Sequence, residues 1–224
     1  MSEQRGHAHY GQDHGHLNDT HRHPPAQPDD TTSPGHYELM ILAMRDLLIE
    51  KGILTADQIR RGLETLDSWQ PSRGAEIVAR AWTDPVFKRR LLADGNEAVA
   101  DFGIDMGGAK LTVLENTDTV QNVVVCTLCS CYPRAVLGLP PDWYRSKNYR
   151  ARIVKEPRKV LSEFGTELPD DVVVRVHDSL ADLRYLVLAR RPPDTEHWSK
   201  DELAAIVTRD CMVGVANPRV GARC

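Results

Sequence analysis

Residues 126 to 131 read Cys-Thr-Leu-Cys-Ser-Cys, so three of the five cysteines of this chain fall within six residues. Thiols this close cannot each be packed separately as small apolar groups; they point to a metal held by sulfur. The fold must then supply a rigid edge on which so short a loop can turn all three side chains inward. Thiolates are soft donors, so the candidates are zinc, copper(I), an iron–sulfur cluster, or thiolate-bound cobalt or iron. Ser130 sits between Cys129 and Cys131. Its backbone nitrogen lies next to any ion those two residues hold, which makes amide coordination geometrically accessible.

Counting ligands separates these candidates. A structural zinc site takes four donors, usually as two separated pairs, whereas here there is one triplet, with Cys211 and Cys224 far along the chain. Iron–sulfur clusters usually need a fourth cysteine at a recognised spacing, which is missing. Three thiolates with backbone amide nitrogens remain as an alternative. They make a strong-field, nearly square arrangement with one cap and a sixth position open, favouring a trivalent low-spin ion that acts as a Lewis acid.

Composition supports a metal rather than disulfides. At 224 residues and 41% hydrophobic content the chain can bury one sizeable core, and its net charge of −4 gives no basic face for nucleic acid or an anionic membrane. No segment reads as a secretory signal or approaches the roughly 18 apolar residues of a membrane helix, so a cytoplasmic location is expected. In that reducing setting, clustered cysteines in odd number read as metal-binding or redox-active.

Three regions follow from the patterning. Residues 1–36 hold seven of the nine histidines, in the pairs His7/His9, His14/His16 and His21/His23, with almost no apolar residues. They are expected to form a disordered tail, either a weak transition-metal trap or a solvated segment without function. Residues 37–105 read as a helical arm. Tyr37, Ile41, Met44 and Leu48 make one apolar stripe, closed by Gly52; Thr55 to Gln58 has capping-box spacing; Asp84-Pro85 starts a further helix, and Gly95 is expected to stop it. These stripes fit either core packing or an arm laid on a partner subunit. Residues 106–224 mix strand-like runs (Leu111 to Leu114, Val123 to Val125, Val172 to Val176, Leu183 to Leu188) with helices over Asp142 to Phe164 and from Ser199. The mixture is α+β, with the cysteine loop directly after the strand that ends at Val125.

The string VCTLCSCYP, followed by LGLPPDWYRS, YRARIVKEPRKVLSEFG, RVHDSLADLRYLVLARRP and IVTRDCMVGVA, resembles the alpha subunit of nitrile hydratase over nearly everything after residue 36. Thr127 matches the cobalt form, where the iron form usually has serine. The resemblance implies a helical N-terminal arm followed by a layered α-β-β-α domain. It implies that Cys126, Cys129 and Cys131 bind one Co(III) through sulfur, iron being the weaker candidate, and that Ser130 and Cys131 bind it through backbone amides. It further implies Cys129 as sulfinic acid and Cys131 as sulfenic acid. The Cys131 sulfenate, or a water it activates, would attack a nitrile carbon, making Cys131 the catalytic residue and an amide the product. The charged sulfur oxygens would meet arginines of a beta subunit, in one chain or split into two, and a cobalt chaperone or activator is a further expected partner.

Other positions take lesser assignments. Asp178 and Arg184 match the family's D-S/T-x-x-x-x-R segment, and either brace the claw, meet another subunit or form a solvated pair. His177 reads as structural, Trp143 and Tyr144 as packing behind the claw, Cys211 as a non-ligand and Cys224 as a terminal thiol. Two departures bear on substrate. Gly107-Gly108 stands where many nitrile hydratases have Gln-Gly, and Tyr132-Pro133-Arg134-Ala135 replaces an aromatic-rich segment, placing a cation at the pocket edge. Arg134, with the His-rich tail, WYRSKNYR and IVTRDC, is also similar to the gamma subunit of thiocyanate hydrolase, whereas Gly138-Leu139-Pro140-Pro141 takes the nitrile hydratase form. A three-subunit enzyme for a bulky nitrile also fits. A metal carrier built from the claw and the histidine tail is the non-enzymatic alternative.

Overall fold

The computed structural model describes residues 35–129 and 131–221. Nearly all of the His-rich tail, together with Ser130 and Cys224, lies outside the described residues. Two compact units divide between Ile53 and Leu54. The first contains α1 (His36–Glu50), which buries none of its residues; Tyr37, Ile41 and Met44 of the predicted stripe stay exposed, at 78%, 66% and 57%. Gly52 follows with φ +67°. No helix among the described residues is long and apolar enough to cross a membrane.

The second unit is mixed α and β. It begins with α2 (Ala56–Asp67), where Thr55 and Gln58 cap each other's backbone, as their spacing predicts. Next come α3 (Pro71–Thr83), α4 (Pro85–Ala93) and α5 (Gly95–Ala100). The Asp84 carboxylate accepts from the amides of Val86 and Phe87, satisfying two of the donors a helix start leaves open. Gly95 does not stop α4 as expected. The helix ends at Ala93 against Asp94, which caps α5, and Gly95 is the first residue of α5. A Cβ there would sit 2.4 Å from the Leu111 carbonyl oxygen, so the glycine serves close approach of helix to strand.

Four strands follow the predicted runs: β1 (Lys110–Glu115), β2 (Val120–Val125), β3 (Val173–Asp178) and β4 (Leu183–Leu188). They form two parallel pairs, β1 with β4 and β2 with β3. Parallel neighbours need long crossovers. Between β2 and β3 the chain runs through the cysteine loop, α6 (Arg134–Leu137), α7 (Asp142–Arg145), α8 (Lys147–Arg152) and α9 (Pro157–Glu163). After β4 come α10 (Lys200–Ala205), capped reciprocally by Ser199 and Glu202, and α11 (Arg209–Val213). Helices α4 and α5 lie on β1, α9 lies on β3, and β2 meets β4 between the pairs.

The core runs through this stack. Val123, Val125, Leu186, Val187, Ile77, Val78 and Met212 are each fully buried, and each such side chain contributes about 1.5–3 kcal/mol of apolar burial. Strand β2 is buried from Gln121 onward, so the residue that follows Val125 leaves a fixed edge. Gly214 closes α11 at φ +89°, where an added Cβ would fall 1.9 Å from the Asn122 carbonyl oxygen. Backbone meets backbone there because no side chain intervenes.

Candidate metal centre

The chain leaves β2 at Val125 and turns at once into the cysteine loop. Cys126 is buried, Cys131 half-buried and Cys129 exposed, and the three sulfurs lie within 4.8 Å of one another. The Cys126 and Cys129 sulfurs are 3.4 Å apart and those of Cys129 and Cys131 3.3 Å, well beyond a disulfide bond. At a metal–sulfur distance of roughly 2.3 Å, sulfurs at right angles about an ion lie about 3.25 Å apart and tetrahedral ones about 3.75 Å. The Cys126–Cys129 and Cys129–Cys131 spacings are near the right-angle value, so these sulfurs are close enough together to take one soft transition metal.

Burial pushes the Cys131 thiol up to about 12, reinforced by hydrogen bonds with Cys129 and Cys126 and by the charge of Cys126, with Arg184 pulling the other way. A metal entering the site displaces protons from these sulfurs.

Side chains from three distant segments fix the loop. Register places Asp178 opposite Val125 at the end of the β2–β3 pair. From there its carboxylate accepts from the Thr127 amide at 2.9 Å and from the Thr127 hydroxyl at 2.5 Å. Tyr144 on α7, fully buried, donates from its hydroxyl to the Cys131 carbonyl at 2.9 Å, and Tyr149 on α8 donates to the Val124 carbonyl at 2.8 Å. Arg150 donates to the Thr127 carbonyl at 3.4 Å. Trp143 packs edge-on against Tyr144, Tyr149 and Phe164. Asp178 thus braces the claw while remaining exposed, and Tyr144 packs behind the claw as the sequence suggests. Tyr149 and Arg150 were not read from the sequence, since no local spacing marks a residue more than twenty positions away as a support for the loop.

In front of the claw opens a cleft of about 1040 Å³ that Cys129, Cys131, Tyr132, Trp69, Gly107 and Gly108 help to line. Arg73, Arg134 and Arg184 also face it, with Asp105 and Asp182. Gly107 and Gly108 take φ +60° and +85° with open space around the position of a Cβ, so neither supplies a side chain to the cleft. His177 is structural: its Nε2 lies 2.9 Å from Asn122 Oδ1, and burial, helped by Arg175, lowers its pKa. Cys211 is buried with its sulfur 3.2 Å from the Thr208 hydroxyl, apart from the claw.

Comparison with known proteins gives this geometry a family. Residues 35–216 match the family described as nitrile hydratase, alpha chain. The alpha subunit of a cobalt-containing nitrile hydratase from Pseudonocardia thermophila is 50% identical over 178 residues, 78% of this chain and 87% of that one. The gamma subunit of thiocyanate hydrolase from Thiobacillus thioparus is 45% identical over 197 residues, 83% of this chain and 81% of that one. Among solved structures, a thiocyanate hydrolase variant matches with a TM-score of 0.78 at 42% identity, covering 85% of this chain and 94% of its own. An Fe-type nitrile hydratase variant from Comamonas testosteroni matches with a TM-score of 0.73 at 43% identity, covering 84% of this chain and 92% of its own. With a match running from α1 through α11, this chain belongs to the nitrile hydratase alpha-chain family.

Proposed function

We propose that this chain is the metal-bearing alpha subunit of a cobalt nitrile hydratase, hydrating a nitrile to its amide. The observation that carries the reading is the convergence of the Cys126, Cys129 and Cys131 sulfurs within 4.8 Å of one another, with Cys129 and Cys131 lining a cleft. These sulfurs, with the backbone amides of Ser130 and Cys131, would hold one Co(III), which when bound supplies Lewis acidity toward the substrate. Cys129 is oxidised to the sulfinic and Cys131 to the sulfenic state in this reading. Cys131 lies at the cleft wall, and Tyr144 holds its carbonyl from behind. From that position its sulfenate oxygen would add to the nitrile carbon or take a proton from the water that does. Asp178 keeps Thr127, and with it the loop, from rotating away. A beta subunit, whole or split into two chains, covers the cleft and pairs its arginines with the sulfur oxygens, and a chaperone or activator loads the metal.

One observation favours a second reading. Arg134 lines the cleft as a fixed positive charge, and an anionic substrate such as thiocyanate would meet it, as in a gamma subunit of thiocyanate hydrolase. Assay of the assembled enzyme on a small nitrile and on thiocyanate separates the two. The hydratase reading predicts amide from the nitrile; carbonyl sulfide from thiocyanate with no amide from any nitrile would replace it. The carrier reading predicts that a chelator strips cobalt within minutes, whereas a low-spin trivalent ion stays bound through the challenge.

A further inference from the structure

The cleft in front of the claw carries unmatched positive charge. Arg73 spends its guanidinium on backbone, donating to the carbonyls of Phe102 and Gly103 at 3.2 Å and of Ala135 at 3.5 Å. Arg184 likewise donates, among the described residues, to the carbonyls of Leu180 and Leu183. Arg134, exposed on the first turn of α6, has no side-chain hydrogen bond or ion pair among the described residues. The two carboxylates of the cleft do not pair with these arginines: Asp105 accepts from the Gly107 amide at 2.9 Å, and Asp182 makes no ion pair among the described residues.

Size and lining add a second constraint. A cleft of about 1040 Å³ is far larger than a three-atom ion needs, and Leu66, Trp69, Met106, Ala109 and Tyr132 give it apolar walls. Glycine at 107 and 108 leaves open space along the cleft. A carboxylate is the anion an arginine fork binds best, through two parallel hydrogen bonds.

We propose that the substrate is a nitrile carrying a carboxylate on an apolar spacer, with Arg134 as the residue that binds the carboxylate and sets this preference. The inference rests on the hydratase reading and deepens it. The spacer lies along the Trp69 and Tyr132 wall, the cyano group points to Cys131, and the carboxylate is taken by the Arg134 fork. The chemistry is unchanged: one water adds across the carbon–nitrogen triple bond, its oxygen ending on carbon and both its hydrogens on nitrogen once the amide forms, and the carboxylate leaves as it came.

The test uses the assembled, cobalt-loaded enzyme and compares kcat/KM for 4-cyanobenzoate and 4-cyanobenzamide, which differ in charge at matched size, with thiocyanate as a third substrate. The wild type should prefer the carboxylate about tenfold or more, and Arg134→Gln should bring the ratio near one, with cobalt content and cysteine oxidation followed by metal analysis and intact mass. A wild-type preference for the neutral nitrile overturns the inference and leaves the hydratase reading intact. Consumption of thiocyanate with both nitriles untouched overturns the two together. A ratio unchanged in Arg134→Gln removes Arg134 from the role. If that variant fails to assemble, the wild-type ratio alone decides.

Discussion

The cysteine loop and the strand it leaves are neighbours built on opposite principles. Strand β2 is held by a backbone ladder to β3 and buried along most of its length, so its position follows from burial and register. The cysteine loop is held instead, at Thr127 and Cys131, by side chains from elsewhere: the Asp178 carboxylate, the Tyr144 hydroxyl and the Arg150 guanidinium. A strand alternates its side chains between two faces and cannot converge three sulfurs on one point. A loop can, provided that other residues hold it. The strand supplies rigidity and the braced loop supplies chemistry.

Two substitutions should pull the regions apart most strongly. Gly214→Ala attacks the platform, since its Cβ would overlap the Asn122 carbonyl on β2 at a φ that side chains resist. A loss of about 4 kcal/mol or more is expected, read as a collapse of the unfolding midpoint. Cys131→Ala attacks only the loop. Turnover should fall by about a thousandfold or more while the unfolding midpoint barely moves, and retained activity would shift the nucleophile to water alone.

Asp178→Ala sits where the two regions join. It deprives the Thr127 amide and hydroxyl of their acceptor, and a loss of about 10- to 100-fold in cobalt retention or turnover is expected, with a smaller change in stability. Equal loss in both would make Asp178 part of the platform instead.

The pH response separates the metal-free from the loaded loop. The Cys131 thiol rises from 9.0 to about 12 on folding, so the folded chain keeps a proton that the unfolded chain gives up. Its contribution to stability is therefore complete below about pH 9 and is lost as pH climbs toward 12. Thermal unfolding of metal-free protein should show a steeper decline than metal-loaded protein, whose claw sulfurs no longer titrate while the buried Cys211 thiol and the Tyr132, Tyr144 and Tyr149 hydroxyls, all pushed up by burial, still do. The smallest effect is expected of Tyr144→Phe, which removes one hydrogen bond to the Cys131 carbonyl and should cost about 1 kcal/mol, visible as a shift in the sulfur-to-cobalt absorption of the loaded enzyme.

What was legible in the sequence had a local cause. Caps at Thr55, Asp84 and Ser199, the four strands and the converging cysteines each follow from spacing within a few residues. What was not legible depends on contacts distant in sequence. Gly95 looks like a helix stop until Leu111 is placed against it. Asp178 acquires its role only from a parallel register that sets it opposite Val125, and the Tyr149 and Arg150 supports arise from the crossover that brings α8 beneath the loop. The stripe on α1 was legible as a helix face, but its exposure was not, because periodicity shows that a face is apolar without showing what covers it.

The most direct test of the central claim is intact mass with metal analysis on the purified, active assembly. The account predicts one cobalt per chain, two added oxygens on Cys129, one on Cys131 and none on Cys126. An active enzyme whose three cysteines are unmodified, or whose cobalt remains after all three are replaced, would contradict it.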